Sequence, residues 1–312
     1  MNCIQSLNHD ARFNLATEEF LLKETLSDYF MIYRNKPSVI IGKHQNALAE
    51  INHSYLHENG INLVRRLSGG GTVYHDLGNI NFLFIQSGES GKLVDFKKFL
   101  LPVLNILQNM GLNAEYGGRN DLLIEGKKIS GNAEHVFRNR ILHHGTLLFS
   151  SDLTVLEKVL KVTPGRYIDK AVQSVRSKVT NISTYLNWKI SVEDFTERLY
   201  GEIKSHFNIS HEYAFSEEEL ARIQSLVDTK YDKWSWNYGY SPEFECLLKG
   251  ALNENAIHLT IVVSEGYIKE LKWQEENIQE SLIKSIESEL IGLEFYEKDL
   301  ISRLLRHHII AD

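Results

Sequence analysis

The 312-residue sequence predicts an α/β protein of the α+β kind: a mixed sheet of short strands with a small α/β domain behind it. Two observations carry that prediction. Apolar runs rich in branched and aromatic residues recur at 31–34, 38–41, 80–86, 122–125, 133–138 and 141–150, and several of the breaks between them are too short for a crossover helix. Amphipathic helical stripes enter at only a few points, so the regular strand–helix alternation of a doubly wound sheet is missing.

Taken in order, Phe13, Ala16 and Phe20, with Leu21 beside them, recur every three to four residues, as one face of a helix does. Strands follow at 31–34 and 38–41, the second ending at Gly42. Residues 62–67 mix apolar and basic side chains like a strand with one exposed face, whereas 80–86 (INFLFIQ) has the pattern of a buried strand. Leu93, Phe96, Leu100, Leu104 and Leu107 define a second helix, which Pro102 should kink or restart because proline lacks an N–H. After Gly111 the remaining runs are strands joined by tight turns. Composition changes near residue 230, where KYDKWSWNYGY (230–240) holds two tryptophans and three tyrosines. Such a segment suits a cofactor or carbohydrate platform or an aromatic hinge between domains, and the hinge is the expected reading. A catalytic domain over 1–241 and a small accessory domain over 242–312 are therefore expected, the latter opening with a hairpin pattern at 257–263 and 267–273.

Bulk properties narrow the function. Composition is ordinary for a globular protein, with 43% hydrophobic and 24% charged residues. Thirty-four basic against 41 acidic residues give a net charge of −7, and no basic tract is long enough to follow a phosphate backbone, so nucleic acid is a poor candidate partner. Cys3 and Cys246 are too few and too far apart for a disulfide scaffold, which fits a reducing compartment. No apolar run approaches the ~18 residues of a membrane span, and the N-terminus lacks a signal-like apolar stretch; a cytoplasmic protein with no membrane partner is expected. His143/His144 and His307/His308 lack the spacing of a helical zinc pair, so no metal site follows from protein motifs, and the second pair reads as a solvated helix end.

The chemistry begins at residues 65–76, RRLSGGGTVYHD. Three consecutive glycines cost backbone entropy that a ligand would explain. Bare backbone allows close approach, successive N–H groups can face an anion, and Arg65 and Arg66 supply bidentate donors. The loop lies between strands, with neither the spaced glycines nor the following helix of a Rossmann fingerprint. The second feature, GRND (118–121) followed by GKKISGN (126–132), superficially resembles a P-loop but lacks Lys-Ser/Thr after its second glycine. It reads as a tight hairpin in which alternation puts Lys128 on the face of Ser130 and turns Lys127 away. Lys128, with Asp121 before it and His143-His144-Gly145-Thr146 on the next strand, suits an oxygen whose negative charge grows during reaction. Activation of an acid is the chemistry implied.

These segments together resemble the lipoate–protein ligases. The likeness rests on RRLSGGGTVYHDLGN (65–79), GRND with KKISG (127–131), HHGTLL (143–148) and SVRSKVTN (174–181), and extends to FNLATEE (13–19), IGKHQN (41–46) and WSWNYG (234–239). The resemblance implies a catalytic domain of the class II aminoacyl-tRNA synthetase and biotin ligase type. It also implies a two-step reaction in which lipoate and Mg-ATP give lipoyl-adenylate, and a carrier lysine then takes the lipoyl group. Carriers would be the glycine-cleavage H protein or dehydrogenase E2 lipoyl domains. Matched by position, Arg66, Gly71, Thr72, Val73, Tyr74 and Asp121 fall at the ATP and adenylate site, and Lys128 on the catalytic lysine that touches both α-phosphate and acyl carbonyl. Glu18, Tyr33, Gly70, His75 and His144 fall, with Lys128, at the lipoate site; Asn79 sits near the far end of the glycine loop. Some relatives carry Trp at the position of Tyr33, which bears on tunnel length. SVRSKVTN matches a loop that closes over adenylate, although Ser174, Arg176 and Lys178 also read as a basic solvated turn.

Two other functions fit parts of the pattern. An acyl transferase moving octanoyl or lipoyl groups between carriers needs a reactive thiol, and neither cysteine lies in the motifs. A binding module that has lost catalysis is disfavoured by the intact Arg66, glycine triplet and Lys128.

Overall fold

Side-chain alternation along the strand Asn79–Ser87 explains the architecture. Ile80, Phe82 and Phe84 enter one core cluster while Leu83 and Ile85 enter another, so the run is apolar throughout because both faces of its sheet are covered. The computed structural model describes the chain except residues 89–93, 119, 161, 163, 210–211, 253–254, 276–277 and 312, and the side chains of 298 and 311. Leu93, expected on the second helix, lies outside the described residues.

The central sheet has five strands in the order Asn2–Gln5, Tyr29–Tyr33, Asn79–Ser87, Arg140–Leu148, Asn132–Phe137. The first pair is parallel and the others antiparallel, so the sheet is mixed. Helices Phe96–Asn109 and Val192–His206 cover one face; Ala11–Glu24 and Glu217–Leu226 cover the other. Each fully buried Phe or Leu contributes roughly 1.5–3 kcal/mol, which makes this two-sided burial the main stabilising term.

The helix Phe96–Asn109 runs through Pro102 without restarting. Its buried face, including Phe99, Leu100, Val103, Ile106 and Leu107, outweighs the ~3 kcal/mol that an internal proline costs.

Two three-stranded sheets carry the loops of interest. Ser38–Ile41 pairs in parallel with Asn62–Arg65 and antiparallel with Val73–His75, so the glycine loop connects two strands flanking a common neighbour. Ala114–Gly117, Asp121–Ile124 and Lys127–Ser130 form the other sheet. Its last hairpin turns at Glu125 (φ 51°) and Gly126 (φ 70°), the two positive angles that a two-residue type I′ turn demands.

The C-terminal sheet contains Phe244–Leu252, Asn255–Ser264, Tyr267–Trp273 and Ile309–Ala311, and takes a further strand, Tyr167–Asp169, from the preceding part of the chain. That strand has no sequence signature, being three residues long and half exposed. The aromatic segment packs against both the C-terminal sheet and the segment before it. Trp234 meets Tyr267 and Tyr296 at 5.9 and 5.4 Å, and the Trp236 indole N–H donates to the Arg65 carbonyl at 2.8 Å. A β-carbon on Gly266 would lie 2.4 Å from the Trp234 ring, so glycine there lets the two halves close. His307 caps the last helix and bonds Glu289, while His308 is the exposed member of that pair.

Candidate active site

A cavity of about 530 Å³ lies between the glycine loop, the Lys128 hairpin and the central sheet. It is lined by Tyr33, Arg66, Gly70, Gly71, Thr72, Val73, His75, Asp121, Lys128 and His144 among the residues expected at the site. Strand alternation turns Val73 and His75 into the cavity and sends Tyr74 to the opposite side, where it packs with Val39 and Ile41. Asn79 lies beneath the floor and donates to Asn81 at 2.9 Å.

The glycine loop is shaped from within. Arg66 donates to the carbonyls of Gly69 and Gly71, both at 2.7 Å, to the Ile40 carbonyl at 3.1 Å and to Ser68 Oγ at 3.0 Å. Burial lowers its pKa to about 10, against the pull of Glu18, so it stays charged at neutral pH. Gly70 takes φ +87°, and a β-carbon on Gly42 would lie 2.1 Å from the Gly70 carbonyl oxygen. A β-carbon on Gly69 would meet nothing within 4 Å, so this cavity-lining glycine faces open space.

Both arginines depart from the expectation that their donors face an anion. Arg65 is wholly buried and binds the carbonyls of Gly42, Lys43, Gln45, Trp236 and Asn237, and Ser241 Oγ. It therefore ties the loop region to the aromatic segment. Arg66 spends its donors on the Gly69 and Gly71 carbonyls, Ser68 Oγ and the Ile40 carbonyl. A guanidinium fork satisfies several carbonyls as readily as one carboxylate, and sequence pattern does not separate the two uses.

Lys128 points into the cavity and pairs with Asp121 at 2.9 Å, while Lys127 is exposed. A β-carbon on Gly131 would lie 3.1 Å from the Lys128 amine, so this glycine makes room for the lysine. The Lys128 backbone bonds Lys178 O and Thr180 N, attaching the hairpin to the end of the 174–181 loop. The start of that loop lies against the glycines. Ser174 Oγ accepts from the Thr72 amide at 2.8 Å and from Gln45 Nε2 at 3.1 Å. Gln45, fully buried, also accepts from the Gly42 amide and the Thr72 hydroxyl. It is the organising residue that sequence reasoning passed over, although it lies within IGKHQN; nothing in its spacing marks it.

At the other end, a buried chain of hydrogen bonds runs through Tyr33, Glu18, His144 and Ser68. Tyr33 OH donates to Glu18 Oε1 at 2.8 Å, Glu18 Oε2 bonds His144 Nδ1 at 2.8 Å, and His144 Nε2 meets Ser68 Oγ at 2.6 Å. Alternation explains the meeting, since Tyr33 and His144 both face the helix that carries Glu18. Glu18 is 2% exposed and stands behind the cavity wall as the acceptor orienting two of its lining groups. His75 is neutral: burial foremost, then Arg66 and His144, lowers its pKa to about 3.

Residues 10–204 match the lipoyl protein ligase A/B catalytic domain. The chain belongs to the lipoate–protein ligase family. It is 40% identical to the lipoate-protein ligase LplJ of Bacillus subtilis over 305 residues, covering 96% of this chain and 92% of that protein. A bi-partite lipoate protein ligase of Thermoplasma acidophilum, described with its E2 lipoyl domain, superposes with a TM-score of 0.66 at 28% identity over 77% of this chain and 96% of its own. Lipoate-protein ligase A bound with ATP gives 0.64 at 29% identity over 77% of this chain and all of its own. The mixed α/β core of the ligase family is thus present, and the enzyme class is lipoate–protein ligase.

Proposed function

We propose that this chain activates lipoate with ATP and passes the lipoyl group to a carrier lysine, with Lys128 as the catalytic residue. In the first step a lipoate carboxylate oxygen attacks the α-phosphorus of Mg-ATP, and the bond to the bridging oxygen breaks to release pyrophosphate. In the second, an uncharged carrier amine attacks the acyl carbon, AMP leaves and the amine's proton passes to solvent. What supports this reading is one continuous cavity that joins the glycine loop and the Lys128–Asp121 pair to the pocket of Tyr33, His75 and His144.

In this scheme the loop from Gly71 to Val73 takes phosphate, with Arg66 holding its carbonyls back so that amides face the ligand. Lys128 offsets charge on the α-phosphate and acyl oxygen, a kind of contact worth about 10²–10³-fold in rate. Asp121 positions the Lys128 amine, and Glu18 orients Tyr33 and His144 along the lipoyl chain. Magnesium arrives with the triphosphate as part of the substrate. The carriers are an H protein or an E2 lipoyl domain, and the site of action is the cytoplasm.

The cysteine-dependent transfer finds no support in the cavity. Cys3 and Cys246 are buried outside it, and burial raises both thiols, Cys246 to about 12, the opposite of an activated nucleophile. The test is pyrophosphate release from nucleotide-free protein given lipoate and ATP, followed by a lipoyl mass shift on the carrier. Octanoyl transfer between carriers that proceeds without ATP and stops on loss of a cysteine would overturn the proposal.

A further inference from the structure

His75 Nε2 is buried without a partner among the described residues, in a side chain only 4% exposed that lines the cavity. Which proton it carries can be deduced from a backbone carbonyl three hydrogen bonds away. The Asn8 carbonyl only accepts, so the Asn14 atom 2.8 Å from it is the amide nitrogen. That same nitrogen lies 2.8 Å from Asn35, which must therefore present its oxygen. Ser6 Oγ, 2.8 Å from the Asn14 oxygen, agrees with this orientation, because Ser6 also accepts the Asn8 amide and keeps its own proton to donate. With its oxygen committed, Asn35 turns its NH₂ toward His75 Nδ1 at 3.0 Å. Nδ1 is then the lone pair, and the ring proton sits on Nε2. Asn14 and Asn35 are both wholly buried, so water does not compete for this chain of bonds.

An N–H fixed in this way requires an acceptor from the ligand. His75 bonds Asn35, which follows the strand ending at Tyr33, whereas Lys128 and Asp121 stand on a separate three-stranded sheet. The donor therefore belongs to the Tyr33 side of the cavity rather than to the Lys128 hairpin. The Tyr33 hydroxyl is already committed to Glu18. Resting on the functional reading above, lipoate brings acceptors at two places: a carboxylate, used at Lys128, and two ring sulfurs at the far end. Octanoate brings none at that end. We propose that Asn35 is a positioning residue that holds His75 as an Nε2–H donor to the dithiolane sulfur and so makes the pocket prefer lipoate over octanoate. Sulfur is a weak acceptor, so the discrimination is about tenfold, well below what a fully paired hydroxyl gives.

The experiment compares kcat/KM for pyrophosphate release with lipoate and with octanoate. Wild type prefers lipoate about tenfold, and Asn35→Leu brings the ratio close to one by losing lipoate turnover while keeping that with octanoate. Equal losses on both substrates, an unchanged ratio, or a wild type without preference overturn the proposal. Nitrogen NMR of the labelled wild-type histidines needs no variant: His75 shows a protonated Nε2 and a bare Nδ1 from pH 5 to 8, and the reverse tautomer overturns the assignment. A wild type that binds ATP but releases no pyrophosphate with lipoate defeats the functional reading, and the tautomer measurement still stands apart from it.

Discussion

Ser174 Oγ accepts the Thr72 amide hydrogen at 2.8 Å, so the side chain of one loop occupies an N–H of the other. Thr72 falls in the stretch assigned to ATP phosphate, and a hydroxyl oxygen there stands where a phosphate oxygen would bind. Gln45 holds the arrangement by donating to Ser174 while accepting from Thr72. Removing the hydroxyl leaves the amide free for nucleotide. Ser174→Ala should lower the ATP dissociation constant about fivefold, the equivalent of one ordinary hydrogen bond of ~1 kcal/mol. Calorimetric titration checks it; weaker ATP binding would mean that Ser174 serves the bound nucleotide instead.

The Lys128 amine and Gly131 stand in a steric relation that gives a graded test. Lys128→Ala should abolish lipoate-dependent pyrophosphate release, a loss of at least about 10²-fold, with an unchanged melting temperature because the side chain is partly exposed and packs no core. Gly131→Ala places a β-carbon 3.1 Å from the amine and should displace it. Rates between those of wild type and Lys128→Ala are expected. A fully active Gly131→Ala would show that the lysine reaches its substrate from another position.

Glu18 accepts from both Tyr33 and His144 in a site closed to water. Glu18→Gln keeps the volume but turns one acceptor into an NH₂ that faces a donor. Breaking a buried charged group's partnerships typically costs about 3–5 kcal/mol, and denaturant unfolding of this variant should show a loss of that order. Lipoate KM should rise with it, since Tyr33 and His144 lose their common anchor. Unchanged stability would place Glu18 in contact with water.

The sequence made some of this legible and hid the rest for physical reasons. Strands such as 80–86 stood out because two-sided burial leaves an unbroken apolar run, and the glycine loop stood out because its backbone cost demands an explanation. That Lys128 lines the cavity was legible through its neighbours. The carbonyl partners of Arg65 and Arg66 were not legible, because a guanidinium that binds five carbonyls, as Arg65 does, or three, as Arg66 does, looks in sequence like one awaiting an anion. Asn35 and Gln45 were invisible, and Ser174 was seen only as part of a loop or solvated turn: their importance lies in partners 40, 27 and 102 residues away, and single polar residues carry no period. The strand Tyr167–Asp169 is too short to leave a pattern of its own.

His75 also controls how stability depends on pH. Its folded pKa of about 3 lies below the ordinary histidine value of about 6.5, so between those limits the unfolded chain binds a proton that the folded protein refuses. Stability is therefore fully present above pH ~6.5 and falls as pH drops, by about 1.4 kcal/mol per unit, levelling off near pH 3. His135, lowered to about 4 by burial and nearby Lys43, and His143, lowered by burial, act in the same direction, so the wild-type acid limb is steeper than one group gives. The difference between wild type and His75→Gln isolates the single contribution. Urea unfolding at pH 7, 6 and 5 should show His75→Gln losing less stability per pH unit than wild type, with the gap between them narrowing as pH falls. Parallel pH profiles would mean that His75 takes up its proton in the folded protein, and the Nε2–H assignment would have to give way to an imidazolium.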